Sequence, residues 1–305
     1  VEEAEDRSAT RAQGQGGAFV SVIVPHLNDL TGLDACLSRL AAQTYPAEAT
    51  LIIVSDNGST CGSDAVRQVI NGRAILVEAP EKGAGPARNA GIMAAKGSLL
   101  AFTDSDCVPA NDWLAEGLKA LSTCDFVGGR MEVLVDDPAH MTPVEAFERV
   151  FAFDNEAYVS KKNFTVTANL FAYRKIFDDC GGFKTGVSED LEWSRRAIAG
   201  GYRLGYADSA VIGHPARRTW SQLRAKWARL NLETYGLSEG TRFRKLKWVG
   251  RNLLLPPSIV VHASRAFTSR QLFTPGQRFG AVRTMAALRL WRLADAIKLA
   301  TAGGS

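Results

Sequence analysis

Ser98-Leu-Leu-Ala-Phe-Thr103 followed by Asp104-Ser105-Asp106 is the stretch that decides the fold. Its first six residues have the length and apolar character of a buried strand, and it stops on two carboxylates two residues apart. The same sentence structure occurs upstream. Thr50–Ser55 (TLIIVS) runs into Asp56-Asn57-Gly58-Ser59, and Phe19–Pro25 (FVSVIVP) halts at Pro25. Ala74–Val77 reads as a further short strand. Between them lie helical patterns. Thr31–Gln43 carries Leu33, Leu37 and Leu40 on one face, with Thr31 as the expected N-cap. Gly83–Arg88 is glycine-rich and opens a helix through Gly91–Ala95, and Trp113–Leu121 is another. Strands alternating with helices imply βαβ units and a mostly parallel sheet. Ligands of such sheets sit beyond the carboxyl ends of the strands, so the clusters at Asp56 and Asp104 are expected on one edge.

Past residue 125 the pattern changes. Phe126–Val135 and Phe164–Ala172 read as strands of a mixed extension, and Glu189–Ala199 as a helix capped by Ser188. From Trp220 onward the chain reads as helical and basic. Residues 1–18 read as a disordered tail, polar and acidic, unlike a signal peptide.

The composition, 46 % apolar and 22 % charged, excludes wholesale disorder, collagen-like repeats and a disulfide-dense mini-domain. The net charge of +4 hides an asymmetry. Residues 1–214 hold 19 Lys+Arg and 29 Asp+Glu, a balance of −10, whereas residues 215–305 hold 17 and 3, a balance of +14. Five cysteines, an odd number with no C-x-x-C pair, fit a reduced compartment. No apolar run reaches bilayer-spanning length.

Four groups of residues carry candidate chemistry. Asp104 and Asp106 point the same way in extended geometry and offer hard oxygens to Mg²⁺ or Mn²⁺, although a solvated turn uses the same residues. Gly83–Gly91 (GAGPARNAG) lets backbone N–H groups approach an anion at a helix start, with Arg88 as a forked donor, and a tight loop-to-helix turn has equal need of it. Glu189-Asp190 is either a pair that complements a helix dipole or a general base presented at a cleft. His214, before Pro215, Arg217, Arg218 and Trp220, is either structural or part of a diphosphate or metal contact. His26 carries little weight.

Taken in order, SVIVP, Asp56-Asn57-Gly58-Ser59, GAGPARNAGI, FTDSD, Gly181-Gly182-Phe183 and SEDLEWSRR resemble glycosyltransferase family 2 over residues 19–218. The resemblance implies a GT-A fold, a Rossmann-like mixed sheet flanked by helices, with residues 219–305 as a basic amphipathic helical extension. It implies an inverting, non-processive transferase that moves a sugar from a nucleoside-diphosphate sugar to a hydroxyl of a glycan or lipid-linked acceptor, as in bacterial surface polysaccharide or glycolipid synthesis. Asp190 matches the catalytic base, beside Glu189. The donor-binding set is Pro25, Asn28, Asp56, Asn57, Arg88, Asn89, Asp104, Ser105, Arg195, Arg196, Arg217 and Arg218. Asp106, with Asp104 and His214, matches the metal position for Mn²⁺ or Mg²⁺. Asn57 departs from the family's D-D-G-S, and Arg217-Arg218-Thr219-Trp220 stands where processive relatives carry Q-x-x-R-W. An inactive sugar-binding relative and a nucleotidyltransferase are the alternatives. Nothing in the motifs points to nucleic acid. The basic extension, with Trp and Leu among its cations, is expected on an anionic membrane surface, which makes the protein cytoplasmic and peripheral on the inner face.

Overall fold

The computed structural model describes residues 18–237 and 243–302. The expected N-terminal tail, apart from Ala18, and Arg242 of the basic extension lie outside the described residues. Two compact units divide the chain. One comprises the residues up to Glu132, Asp154–Thr185 and Glu189–His214; the other comprises Val133–Phe153, Gly186–Ser188 and the chain from Pro215 onward.

The first unit is built on a sheet of β1 (Val20–His26), β2 (Thr50–Asp56), β3 (Ile75–Glu78), β4 (Leu99–Phe102), β5 (Val108–Pro109), β6 (Phe126–Leu134), β7 (Leu170–Tyr173) and β8 (Leu204–Pro215). Their spatial order is β3-β2-β1-β4-β7-β6-β8-β5. β3, β2, β1 and β4 run parallel. β7 is antiparallel to both β4 and β6, and β5 is antiparallel to β8. β1, β2 and β4 are largely buried on both faces, which is why they read as unbroken apolar runs, while the edge strand β3 is only partly covered. The two-residue period still sorts them. Val20, Val22 and Val24 face Leu33, Leu37 and Leu40 of α1 (Leu30–Ala41), with Val66 and Ile70 of α2 (Ser63–Ile70) in the same cluster. Ile23 and Ile53 face Ile92 of α3 (Ala84–Ala94) and a group of aromatic rings.

Most elements fall where the sequence places them, and the differences have local causes. Asp29, not Thr31, caps α1, its Oδ1 accepting from the Gly32 N–H at 2.9 Å, so the helix begins at Leu30. The expected strand Phe164–Ala172 is cut to Leu170–Tyr173, preceded by a 3₁₀ turn at Thr167–Asn169. Its backbone donors are taken by side chains: Thr165 N–H by Ser194 Oγ (3.3 Å), Val166 N–H by Asn155 Oδ1 (3.3 Å) and Thr167 N–H by Asp190 Oδ1 (3.2 Å). A segment that spends its N–H groups in this way has none left for a ladder. β8 escapes the sequence reading because Gly205, Asp208, Ser209 and Gly213 interrupt its pattern; pairing with β6 and β5 makes it a strand.

The second unit is helical. α12 (Pro275–Ala302) is its spine, and α5 (Pro143–Phe151), α9 (Trp220–Gly236), α10 (Arg244–Leu253) and α11 (Ser258–Thr268) all pack on it. Capping boxes start two of these helices, Thr142 with Glu145 for α5 and Thr219 with Gln222 for α9. Among the described residues no helix is long and apolar enough to cross a membrane.

Close packing on the sheet generates a counter-intuitive expectation. Gly117 lies inside α4 (Trp113–Ala120), where alanine would normally help by about 1 kcal/mol. A Cβ there would collide with the fully buried Phe171 ring, which is itself packed against Trp113 at 4.9 Å. Gly117→Ala should therefore lower the stability measured by urea unfolding, by about 1–3 kcal/mol for an overpacked core. An unchanged or raised stability would show that α4 can withdraw from the sheet.

Candidate active site

Arg88 sits in the first turns of α3 and is only 3 % exposed. Its Nη2 donates to Asp104 Oδ1 at 2.5 Å, and its Nη1 donates to Glu189 Oε1. The approach of Glu189 depends on Gly85, where a Cβ would stand 2.6 Å from Glu189 Oε2 and 3.3 Å from Phe183 Cβ. Burial works against the charge on Arg88, but Asp104, Glu189 and Asp190 outweigh it and hold its pKa above the ordinary value. The guanidinium is thus a permanent cation at the centre of three acids.

Asp190 is the second residue of α8 (Glu189–Ala199). Burial and the neighbouring Glu189 push its carboxyl up to about 6, while Arg88 and the Thr167 side chain pull the other way; the Thr167 N–H also donates to its Oδ1 at 3.2 Å. The helix that carries it is pinned by rings. Trp193, one turn along, stacks on Phe177 of α7 (Arg174–Cys180) at 4.4 Å and meets Phe126 of β6 edge-on at 5.4 Å. Trp193 Nε1 donates to Gly181 O at 3.2 Å. Arg196 holds the same loop, donating to Gly182 O at 2.7 Å and Gly181 O at 3.0 Å, and also to the carbonyl of Cys180. Asn89 clamps the loop from α3, accepting from Phe183 N–H and donating to Phe183 O, both at 2.8 Å. Asn89 and Arg196 therefore shape the Gly181–Phe183 loop. Arg195 is exposed on α8.

A second set of side chains occupies the ends of β1 and β2. Asp56 is buried, and its Oδ1 accepts from Ser59 Oγ at 2.5 Å and lies 2.9 Å from His26 Nδ1. Burial would raise the Asp56 pKa, but the Ser59 hydroxyl and N–H and the His26 ring more than offset it, so the carboxyl titrates below its usual range. Asn28, at φ +61°, accepts from Thr60 N–H at 2.7 Å. Pro25 stands beside Ser55 in the β1–β2 register and is partly buried.

The third set lies just beyond β4. Ligand atoms of Asp104, Asp106 and Cys107 fall within 4.8 Å of one another. Ser105, between the acids, is partly buried. His214 joins them because β5 pairs with β8, Val108 opposite Gly213, which sets its Nε2 3.6 Å from Asp106 Oδ2. Burial, with Asp104 and Asp106 nearby, holds the Cys107 thiol well above its usual pKa. The hard carboxylate oxygens and the imidazole are donors suited to Mn²⁺ or Mg²⁺.

A family model described as "Glycosyl transferase family 2" matches residues 21–186, more than half of the chain. The chain belongs to this family. It is 34 % identical over 207 residues to the glycosyltransferase AglE of Haloferax volcanii, a match that covers 65 % of this chain and 67 % of AglE. Over 219 residues it is 29 % identical to the pre-mycofactocin glycosyltransferase of Mycobacterium tuberculosis, covering 68 % of this chain but only 45 % of that protein. Among solved structures, the mannosyltransferase PcManGT of Pyrobaculum calidifontis, in complex with GDP-Man and Mn²⁺, aligns with a TM-score of 0.52 and 22 % identity over 96 % of this chain and 77 % of its own. Likeness at that identity speaks for the fold, which is GT-A.

Family membership makes one departure informative. Where D-D-G-S has a second Asp, Asn57 donates from Nδ2 to Ala79 O (3.0 Å) and Glu81 O (2.6 Å), and accepts from Gly83 N–H at 2.7 Å. An amide can do all three; a carboxylate cannot donate. Asn57 thus ties the loop after β2 to the glycine loop that starts α3. Arg217 and Arg218 belong to the helical unit. Arg217 donates through its N–H to Glu148 Oε2 at 2.8 Å, and Arg218 Nε lies 3.3 Å from Glu145 Oε1. Neither glutamate stands out in the sequence as a partner of these arginines, although Thr142-Pro143-Val144-Glu145 is a legible capping box. Thr167, whose N–H donates to Asp190, belongs to no motif, because a backbone donor leaves no mark on the sequence.

Loss of the buried cation should register twice. Arg88→Gln leaves Asp104 and Glu189 without their counter-charge, and urea unfolding should show a loss of about 3–5 kcal/mol, as for one partner removed from a buried pair. In protein that folds, the Asp190 carboxyl should titrate above about 6, because Arg88 favours its ionised form. An unmoved titration would show that the two groups are not coupled.

Proposed function

We propose that the protein is an inverting, metal-dependent glycosyltransferase acting on a nucleoside-diphosphate sugar. The observation that carries this is the bridging of Arg88 between Asp104 and Glu189, with Asp190 on the same helix turn. One guanidinium thereby fixes the distance between a carboxylate suited to the donor and its metal and a carboxyl poised near its pKa. GDP-Man and Mn²⁺ in PcManGT support the donor class and the metal.

Asp190, ionised above about pH 6, accepts the proton of an acceptor hydroxyl. The hydroxyl oxygen attacks the anomeric carbon from the face opposite the leaving group, and the bond to the nucleoside diphosphate breaks with its electron pair going to the phosphate. Inversion follows from that single displacement. Asp106, Asp104 and His214 are the residues that would hold a divalent cation, which when bound neutralises charge on the diphosphate. Thr167 N–H orients Asp190, and Arg88 favours its ionised form.

The acceptor is read as a glycan or a lipid-linked sugar, with the helical unit lying on an anionic membrane surface at the inner face of the cell membrane. Residues 243–294 contain ten Lys and Arg and no Asp or Glu. Leu254, Val260 and Val261 at the α10–α11 junction are 68 %, 81 % and 71 % exposed. Apolar side chains beside cations suit an anionic interface. Flotation with anionic liposomes at low salt should recover the protein; recovery only in the unbound fraction would overturn this reading.

Release of nucleoside diphosphate from a sugar donor, followed by chromatography with Mn²⁺ present, tests the activity. Asp190→Asn should lower turnover by about 10²–10⁴-fold while donor binding persists. The rate should fall as pH drops through about 6, where Asp190 takes up a proton. A chelator should abolish the reaction and added Mn²⁺ restore it. Pyrophosphate as the product would instead indicate a nucleotidyltransferase, and donor binding without release an inactive relative.

A further inference from the structure

The acid-free stretch of the helical unit gathers three of its arginines. Arg251 lies near the end of α10, and Arg289 and Arg292 are one turn apart on α12. Trp248 Nε1 donates to Ala296 O at 3.2 Å and so holds α10 against α12 at this level. Arg292 is fixed in orientation. Its guanidinium lies over the Trp227 ring at 3.9 Å, and its Nε donates to Asn231 Oδ1 at 3.2 Å. Asp295, the carboxylate that acts on it, is engaged by Asn231 Nδ2 at 2.9 Å. Arg289 Nη1 is buried with no hydrogen-bond partner. Among the described residues, no carboxylate lies within ion-pair distance of Arg251, Arg289 or Arg292.

This arrangement is costly as it stands. Burial, then repulsion from Arg251 and Arg289, pushes Arg292 down to about 10. Burial likewise lowers Arg289. In the same unit Glu148 meets both Arg217 and Lys226. The exposed Arg251 and the partly buried Arg289 and Arg292 have no such carboxylate among the described residues, and a buried N–H without an acceptor, as at Arg289 Nη1, is the kind of orphan that a ligand satisfies. Guanidinium forks match the oxygens of a tetrahedral phosphate, and several can share one group.

We propose that Arg251, Arg289 and Arg292 form a phosphate-binding site in the helical unit. The group bound is a phosphate ester or diphosphate, carried on a lipid headgroup or free in solution. The site shares no residue with the Asp190 centre and does not rest on the sugar-transfer reading.

The test compares the full chain with R251Q/R289Q and with R251K/R289K, which keeps both charges but loses the planar forks. Vesicles of phosphatidylcholine with phosphatidylglycerol are one probe, and inorganic pyrophosphate, followed by calorimetry, is the other. The Gln variant should bind the responsive probe about 10-fold or more weakly, and the Lys variant should recover only part of that loss. A response confined to vesicles assigns the phosphate to a lipid headgroup. A pyrophosphate binding event that disappears in the Gln variant assigns it to a soluble source. Wild-type binding by the Lys variant would reduce the cluster to diffuse charge and overturn the proposal, as would a wild-type protein indifferent to both probes. Circular dichroism confirms folding, and Arg292, stacked on Trp227, is left unchanged to preserve the packing.

Discussion

A single buried guanidinium ties the acids of the sheet unit together. Asp104 hangs from the end of β4, Glu189 and Asp190 begin α8, and in sequence these are some 85 residues apart. Brought together without Arg88 they would repel one another. Arg88 offsets that repulsion by binding Asp104 and Glu189 directly, whereas Asp190 feels the guanidinium only through space and has its carboxyl raised by burial and by Glu189. Which carboxylates are gripped thus comes from the reach of two guanidinium nitrogens.

That arrangement needs support on several sides. Gly85 makes room for Glu189, and the rings of Phe177, Phe183 and Trp193 fix where α8 starts. Asn57 and Asn89 are polar staples that tie loops to one another through backbone groups. None of these residues is itself reactive. Their common role is to remove freedom from a strand-end region where backbone polar groups would otherwise require water.

The helical unit follows a different economy. It has few acids, and those it buries, Glu145 and Glu148, are paired with arginines that immediately follow β8. Farther along, Arg251, Arg289 and Arg292 have no carboxylate within ion-pair distance among the described residues, so charge is matched near Pro215 and left unmatched at this point of α10 and α12. Charge separation on this scale does not help folding; it is understandable where an external anion completes it.

The sequence alone determined the parallel strands, the helices between them and the ordering of motifs, because apolar periodicity and turn residues are local signals. It also determined that Asp56 and Asp104 lie at strand ends on one side of a sheet. Asn57, by contrast, reads as a weakened acid until its three partners are seen. His214 becomes a neighbour of Asp106 only through the β5–β8 register, and β8 itself is invisible to pattern because glycine, aspartate and serine interrupt it. Thr167 acts through a backbone N–H that every residue except proline possesses. Only the tertiary structure could decide these points, since each depends on distances between groups far apart in the chain, and on which of several possible partners a buried polar atom takes once water has been removed.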